Sequence, residues 1–173
     1  MKWKDKLISD IENLIKNDAL VDVDIRMRWV DRSSNVHLAI FNEPFLQLMY
    51  SNIKTIESRF SINKVAPYNC IFEGDIVLVK RSGGDIEAVF LAKEIKFLRN
   101  LGEIKIRQLE RSFGAMIGWN VDPEFLLNKK YARYLTLIGI SNLTKIYPIS
   151  IDKKDKMGWS VIRLGDRNTL FEK

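Results

Sequence analysis

The sequence predicts an α+β protein in which a small closed or half-open β-barrel carries helices at its rim. Three observations lead to this fold class. Short apolar strand-like runs, such as residues 36–41 and 75–80, outnumber the helical segments. The run at 75–80 is followed by the turn sequence RSGGD and a long strand over 86–98, which is the pattern of a β-hairpin. Residues 3–16 carry apolar side chains at spacings of three and four, which predicts an amphipathic helix ahead of the barrel.

The first 34 residues are predicted to form an N-terminal helical extension, and residues 35–173 the barrel domain. The amphipathic helix ends at the polar stretch NDALVDVD, and the next segment, DIRMRWV at residues 24–30, is predicted as a strand. The sequence DRSSN then indicates a turn or linker. We expect the extension to pack either on the barrel or on a partner chain.

The barrel domain is predicted to begin with a strand, a short helix and a second strand. The apolar run VHLAIF at residues 36–41 forms the first strand. Pro44 lies near the start of the helix, where its missing N–H costs no hydrogen bond. Asn52 can end the helix because asparagine tolerates the left-handed conformation. The segment KTIESRF then forms the second strand.

The second half of the chain is predicted to contain two helices followed by strands. Residues 102–117 have helical character, and Gly118 lies at their end. A short helix follows Asp122, a candidate N-cap, with proline in its first turn. The β-rich stretch at residues 131–151 and a final strand, GWSVIRL, complete the fold.

The composition excludes several kinds of chemistry. The chain has 173 residues, 46% of them hydrophobic, which suffices for one domain with a core. Cys70 is the only cysteine, so an intrachain disulfide and a cysteine-based zinc site are excluded. His37 is the only histidine, and we expect it to be a packed structural residue rather than a ligand. We therefore predict neither a metal ion nor a cofactor.

The hydropathy of the sequence predicts the cellular compartment of the protein. The N-terminus, MKWKDKLISD, lacks an apolar stretch of signal-peptide length. A run of about 18 apolar residues, the length that suggests a membrane span, occurs nowhere in the sequence. We therefore expect a soluble cytoplasmic protein with no membrane partner.

Charge is distributed unevenly along the chain. The net charge is +6, and residues 93–173 hold sixteen basic and nine acidic side chains, whereas the residues before them are nearly balanced. An excess of this kind favours a polyanionic partner, often nucleic acid. Solvated helix faces would explain it equally well.

The segment KTIESR, at the second predicted strand, carries the candidate binding residues. Glu57 and Arg59 are two residues apart and therefore share one face of a strand. A glutamate can hold an arginine rigid, so that its guanidinium is presented to a phosphate or a base edge. Lys54 lies at the junction between helix and strand, where its side chain could join Glu57 and Arg59 in one binding site. The alternative is an exposed salt bridge, which would contribute little.

A second candidate is the sequence NKKYARYLT at residues 128–136, which interleaves cations with tyrosines. Cations bind phosphates and aromatic rings stack on bases, so this mixture suits single-stranded RNA. The alternative is a basic loop whose tyrosines pack on the barrel. The predicted nucleic-acid-binding residues here are Lys129, Lys130, Tyr131, Arg133 and Tyr134.

These segments together resemble the ASCH family of small PUA-like β-barrel domains. The matching pieces are VHLAIF, the helix PFLQLMYSN, the Lys-x-x-Glu-x-Arg motif as KTIESR, EGDIVLVK, AVFLAKEIKFL and MGWSVIRL, in the family's order. The resemblance covers about residues 35–164. The family usually has glycine two residues before the motif lysine, where this chain has Asn52.

The resemblance implies an RNA- or nucleoside-facing cleft beside the motif strand. Some members of the family are linked to RNA cleavage or to hydrolysis of the amide in N-acetylated cytidine. In those amidohydrolases a lysine activates a threonine three residues later. In this chain Glu57 stands three residues after Lys54, and Thr55 is adjacent to it.

The sequence therefore predicts a nucleic-acid-binding domain, with RNA or a nucleotide-like ligand as partner. Lys54 and Arg59 would contact the ligand and Glu57 would orient Arg59. The alternative is a hydrolase acting on an acylated cytidine or on RNA, with Lys54 and Glu57 as catalytic residues. A third possibility is protein–protein contact through the apolar face of the N-terminal helix, which includes Leu7 and Ile11. The oligomeric state is left open.

Overall fold

The structure is a computed structural model that describes residues 3–153 and 157–166. Helices and strands both occur, as the predicted α+β class requires. The helices are α1 (Trp3–Asn17), α2 (Val23–Val30), α3 (Phe45–Tyr50), α4 (Glu103–Ile117) and α5 (Pro123–Leu127). The strands are β1 (Val36–Phe41), β2 (Ile56–Ser61), β3 (Ile76–Arg81), β4 (Ile86–Arg99), β5 (Tyr134–Ile149) and β6 (Trp159–Arg163).

The strands form one mixed sheet in the order β2-β5-β4-β3-β1-β6. Strands β1 and β3 run parallel, with Val36 opposite Ile76. Strand β1 is antiparallel to β6, and the β3–β4 and β2–β5 pairs are also antiparallel. The predicted hairpin over the RSGGD turn is therefore confirmed as β3–β4.

The chain forms two compact units. The first comprises residues within 1–41, 74–92 and 141–173, and the second comprises residues 42–73 and 93–140. Strands β4 and β5 each contribute residues to both units. The domain boundary expected at residue 34 stays a prediction.

The core of the first unit contains both N-terminal helices. Leu7 and Ile11 of α1 are buried in the same hydrophobic cluster as Leu38 of β1 and Leu78 of β3. The predicted amphipathic helix is thus confirmed, and its apolar face packs against strands of its own unit. Burial of this apolar surface is the main favourable term that holds α1 in place.

Helix α2 corrects a prediction, because residues 24–30 are helical rather than extended. The side chain of Asp22 accepts hydrogen bonds from the backbone N–H groups of Asp24 and Ile25, so it caps the helix. Ile25 and Trp29, four residues apart, are buried on one face. The strand prediction was wrong because this N-cap and the i, i+4 pair determine the conformation.

The only histidine is a structural residue, as expected. His37 is fully buried, and its Nε2 lies 3.1 Å from Asp75 Oδ2. The indole N–H of Trp159 donates to His37 Nδ1 at 3.2 Å. Because Nδ1 accepts, Nε2 must carry the proton that it donates to the aspartate. The imidazole therefore links two strands within the core.

The core of the second unit lies between helix α4 and the β2–β5 strand pair. Ile117 and Trp119 are buried together with Leu135 and Leu137 of β5. Helix α4 ends at Gly118, whose φ of +82° favours glycine. A Cβ at this position would lie 2.9 Å from Leu48 Cδ1. At the end of α3, Asn52 likewise adopts a left-handed conformation, with a φ of +56°, as predicted.

Candidate functional site

The β2–β5 pair presents two different faces. Ile56 and Phe60 of β2 pack against the hydrophobic cluster under α4, and Ser58 accepts a hydrogen bond from the indole N–H of Trp119 at 3.3 Å. Side chains alternate along a strand, so Glu57 and Arg59 lie on the other face, as predicted. We call this second side of the β2–β5 pair the Arg59 face.

Three charged side chains meet around one carboxylate at this strand. Arg59 Nε lies 2.6 Å from Glu57 Oε1, and Lys54 Nζ lies 3.0 Å from Glu57 Oε2. Each carboxylate oxygen therefore pairs with a different cation. The structure thus brings together Lys54, Glu57 and Arg59, which we call the Glu57 cluster.

Lys54 is the innermost member of the Glu57 cluster. Besides the ion pair with Glu57, its ammonium donates to the backbone carbonyls of Ile56 and Ile117, each at 2.9 Å. The Phe45 ring centroid lies 5.5 Å from Nζ. An ammonium has three N–H donors. All three are therefore used inside the protein, and Lys54 ties β2 to the C-terminal end of α4.

The electrostatics of Lys54 combine opposing influences. Burial lowers the pKa of the Lys54 ammonium below its usual value, since a charged group loses its hydration there. The Glu57 carboxylate raises this pKa by charge and by hydrogen bonding, and the Arg59 charge lowers it. Two carbonyl acceptors add to the carboxylate in favouring the protonated amine.

Arg59 is the outermost member of the Glu57 cluster. Its side chain is 20% exposed, compared with 2% for Lys54 and 7% for Glu57. The contact with Glu57 uses Nε, so it fixes the plane of the guanidinium. A ligand approaching the cluster would therefore meet Arg59 before the other two residues.

Aromatic rings extend the Arg59 face. Tyr134 pairs with Ser61 in the strand register and lies on the same side as Arg59. The ring of Tyr68 lies 5.0 Å from that of Tyr134 and 5.4 Å from that of Phe97. Tyr68 comes from the irregular segment between β2 and β3, where no periodicity in the sequence indicates its partners.

The other predicted binding residues of the segment 128–136 lie elsewhere in the second unit. Lys130 and Tyr131 line a hollow of about 670 Å³ beside helix α4. Tyr131 is 72% exposed, and Lys130 Nζ lies 5.0 Å from its ring centroid. We call this the α4 hollow. Its lining within the described chain is Glu103, Ile106, Arg107, Glu110, Leu126, Lys130 and Tyr131, so the Glu57 cluster is outside it.

The two remaining predicted residues have separate positions. Lys129 Nζ lies 5.0 Å from the ring centroid of Phe125. Arg133 is exposed, and its backbone N–H donates to the carbonyl of Ser61 at 2.9 Å. Of the five predicted residues in this segment, Tyr134 therefore lies with Arg59, Lys130 and Tyr131 lie at the α4 hollow, and the other two belong to neither group.

Comparison with known proteins shows that this chain is similar in fold to solved structures. Neither protein-family models nor curated proteins match this sequence. The crystal structure of ASCH from Zymomonas mobilis matches with a TM-score of 0.58 at 12% sequence identity, covering 81% of this chain and 94% of that chain. Two point variants of the same protein match with TM-scores of 0.58 and 0.55 at 13% and 12% identity, covering 81% and 78% of this chain and 95% of theirs.

This likeness shows that the chain has an ASCH-like α+β fold. The fold class predicted from the sequence and the resemblance to the ASCH family are therefore both confirmed at the level of the fold. At such low identity the comparison carries no residue role from one protein to the other. No helix within the described residues is long and apolar enough to cross a membrane.

Proposed function

We propose that this protein binds nucleic acid, and RNA in particular, through the Arg59 face. The observation that carries the proposal is the buried Glu57 carboxylate, which holds Arg59 Nε at 2.6 Å with one oxygen while its other oxygen is held by Lys54. Immobilising a flexible cation costs rotamer entropy. Here the Arg59 side chain loses this entropy when the protein folds, so ligand binding does not have to restrict the side chain a second time.

Arg59 is suited to phosphate by its chemistry. A guanidinium offers planar, paired N–H donors that match two oxygens of a phosphate. In this proposal Glu57 orients Arg59, and Lys54 holds Glu57 in place. The lysine acts as support, because its three N–H donors are already engaged within the protein.

The aromatic rings beside Arg59 favour single-stranded RNA over duplexes. Tyr134 and Tyr68 lie on or against the Arg59 face, and bases stack on such rings once they are unpaired. The family resemblance, which implies an RNA- or nucleoside-facing cleft beside this strand, supports the same partner. So does the basic excess after residue 92.

The α4 hollow would supply a second contact area for the same strand of RNA. Lys130 provides a cation and Tyr131 an exposed ring at its edge. Lys129 and Arg133 add positive charge nearby in the chain. Their contribution would be electrostatic and independent of sequence.

The second candidate function is hydrolysis of a modified nucleoside or of RNA, with Lys54 and Glu57 as catalytic residues. The burial-lowered pKa of Lys54 favours it, because a base must be able to lose its proton. Against it, Lys54 would have to give up a donor to Glu57 or to a backbone carbonyl. Glu57 also occupies the position where the related amidohydrolases have threonine.

Fluorescence anisotropy with a labelled single-stranded RNA tests the proposal. We expect Arg59→Ala to weaken binding, and wild-type affinity to fall steeply between about 50 and 200 mM salt. Arg81→Ala is the matched control, since Arg81 also pairs with a glutamate, Glu87 at 2.8 Å, but lies in the other unit. Equal affinities for both variants, or a flat salt response, would contradict the proposal.

A turnover assay separates the two candidates. Acylated cytidines and mixed RNA are incubated with the protein at high concentration, and products are separated by chromatography. Product formation that disappears in Lys54→Met would establish the hydrolase. Unchanged substrates, together with salt-sensitive RNA binding, would leave the binding function.

A further inference from the structure

The hydroxyl of Thr136 is an exception among the buried polar groups of the second unit. Thr136 lies on β5, is 1% exposed, and its Oγ1 has no hydrogen-bond partner among the residues that the structure describes. Buried hydroxyl groups are almost always paired, because removing them from water without a partner is unfavourable. An unpaired one therefore requires an explanation.

The strand register places this hydroxyl beside the Glu57 cluster. Thr136 is directly opposite Arg59 in the β2–β5 pair, and Glu57 is opposite Ile138. Residues directly opposite in an antiparallel pair point to the same face, with Cβ atoms about 5 Å apart. Thr136 therefore lies on the Arg59 face, next to the cation that the proposed function assigns to the ligand.

The neighbouring groups restrict what could pair with the hydroxyl. Both oxygens of Glu57 are already engaged by Lys54 and Arg59. Arg59 can only donate, so it cannot accept the proton of Thr136. A group that accepts from the hydroxyl and also contacts the guanidinium would give the hydroxyl its partner, and an oxyanion with several oxygens is such a group.

The charge of the Glu57 cluster favours a monoanion. Two cations and one carboxylate leave one net positive charge among three largely buried side chains. A phosphodiester carries one negative charge, whereas a terminal phosphate carries about two near neutral pH. Charge compensation in a partly desolvated site therefore favours the internal linkage of a nucleic acid over a phosphate at its end.

We propose that Thr136 is a second ligand-binding residue of the Arg59 face, where its hydroxyl donates to a phosphodiester oxygen held by the Arg59 guanidinium. This inference rests on the proposed function and names the group that the site binds. It also gives the reason for the unpaired hydroxyl, which acquires its partner when the ligand is bound.

Replacing the hydroxyl with a methyl group tests the inference. Thr136→Val keeps the shape of the side chain, so the unfolding temperature of the free protein should stay the same or rise. Its affinity for a labelled single-stranded RNA should fall about fivefold to tenfold, the loss of one hydrogen bond. Thr136→Ser, which keeps the hydroxyl, should retain most of the affinity.

The salt dependence distinguishes Thr136 from a cationic contact. Thr136→Val removes no charge, so the slope of log Kd against log salt should stay as in the wild type. Arg59→Ala should reduce the magnitude of that slope by about 0.7, the value for one lost contact to a single strand. The two substitutions should also be non-additive in the double variant, since both groups would hold the same phosphate.

Competition experiments identify the kind of phosphate. The dinucleoside monophosphate UpU, uridine 5′-monophosphate and inorganic phosphate are each added to the complex with labelled RNA. We expect UpU to compete more strongly than the other two with the wild type, and to lose this advantage with Thr136→Val. Equal competition by the three compounds would overturn the assignment of a phosphodiester.

The outcomes separate this inference from the proposed function. Unchanged affinity of Thr136→Val, while Arg59→Ala binds weakly, would overturn the inference and leave the function. A lower unfolding temperature for Thr136→Val would also overturn it, because the hydroxyl would then have a partner, such as a bound water, in the free protein. If both variants bind as the wild type does, the proposed function and the inference fail together.

Discussion

Arg59 Nε lies 2.6 Å from Glu57 Oε1 in an ion pair between two residues that stand two positions apart on the same strand. Their common face follows from the alternation of side chains along a strand, and the contact places the carboxylate in a nearly buried position. Lys54, 3.0 Å from the other carboxylate oxygen, supplies a second opposite charge at this buried position. If Arg59 contacts RNA as proposed, recognition and stability are coupled through one carboxylate.

Glu57→Ala should destabilise the fold strongly. Removing the carboxylate leaves Lys54 buried without its counter-ion, and breaking a buried pair in this way costs about 3–5 kcal/mol. The free energy of unfolding from urea titration measures the loss. The matched control is Glu103→Ala, which breaks the exposed pair with Arg107, 2.5 Å apart, and should cost about 0–1 kcal/mol. Equal losses would show that the Glu57 cluster is not desolvated in solution.

Lys54 should make the free energy of unfolding depend on pH in the alkaline range. Because burial lowers its pKa in the folded state, the unfolded chain binds more protons between that lowered pKa and the ordinary value of 10.5. Stability contributed by this group therefore rises with pH across that window and is lost as pH falls through the folded-state pKa. Urea unfolding of the wild type and of Lys54→Met at successive pH values measures it.

The effect of Lys54 is measured by the difference in the free energy of unfolding between the wild type and Lys54→Met, because all other groups titrate in both proteins. We expect the free energy of unfolding of the wild type to increase relative to Lys54→Met as the pH approaches 10.5. A constant difference across the alkaline range would mean that Lys54 has the same pKa in the folded and unfolded chains.

Local signals made much of the fold predictable from the sequence. Asn52 and Gly118 adopt the left-handed conformations expected of helix ends, and Asp122 caps α5 through the N–H of Glu124. Each of these depends on neighbours within a few residues. Helix α2 was missed because its eight residues bury only Ile25 and Trp29, too short a pattern to show a helical period.

The candidate site was predictable only where it depends on strand alternation. That rule placed Glu57 and Arg59 together, but the bond from Lys54 to the carbonyl of Ile117 joins residues 63 apart. Thr136 could be placed opposite Arg59 only once the register between β2 and β5 was known. Long-range pairing is set by the whole sheet, and no short segment of the sequence encodes it.

Helix α1 should be needed for the stability of the first unit. Ile11 is buried in the core with Leu38 and Leu78, so Ile11→Ala should cost about 2–5 kcal/mol through lost burial and the cavity left behind. Leu20→Ala, at an exposed position in the same region, should cost less than about 0.5 kcal/mol. Thermal unfolding of both variants tests this. A small effect of Ile11→Ala would instead support contact between the α1 face and a partner chain.

Tyr131 should contribute to RNA binding without contributing to stability. Its ring is 72% exposed at the edge of the α4 hollow, so truncation exposes no core and leaves the unfolding temperature unchanged. If a base stacks on the ring, Tyr131→Ala should weaken single-stranded RNA binding by about 1–3 kcal/mol. Anisotropy titration at fixed salt measures this loss.

The control for that titration is Tyr147→Ala, because Tyr147 is 80% exposed and lies in the other unit. It removes an equally accessible ring, so any general effect of losing surface aromatic area appears in both variants. Weaker binding by Tyr131→Ala alone would place a base at the α4 hollow. Equal affinities would confine RNA contact to the Arg59 face, and the basic residues beside Tyr131 would then act only as long-range charge.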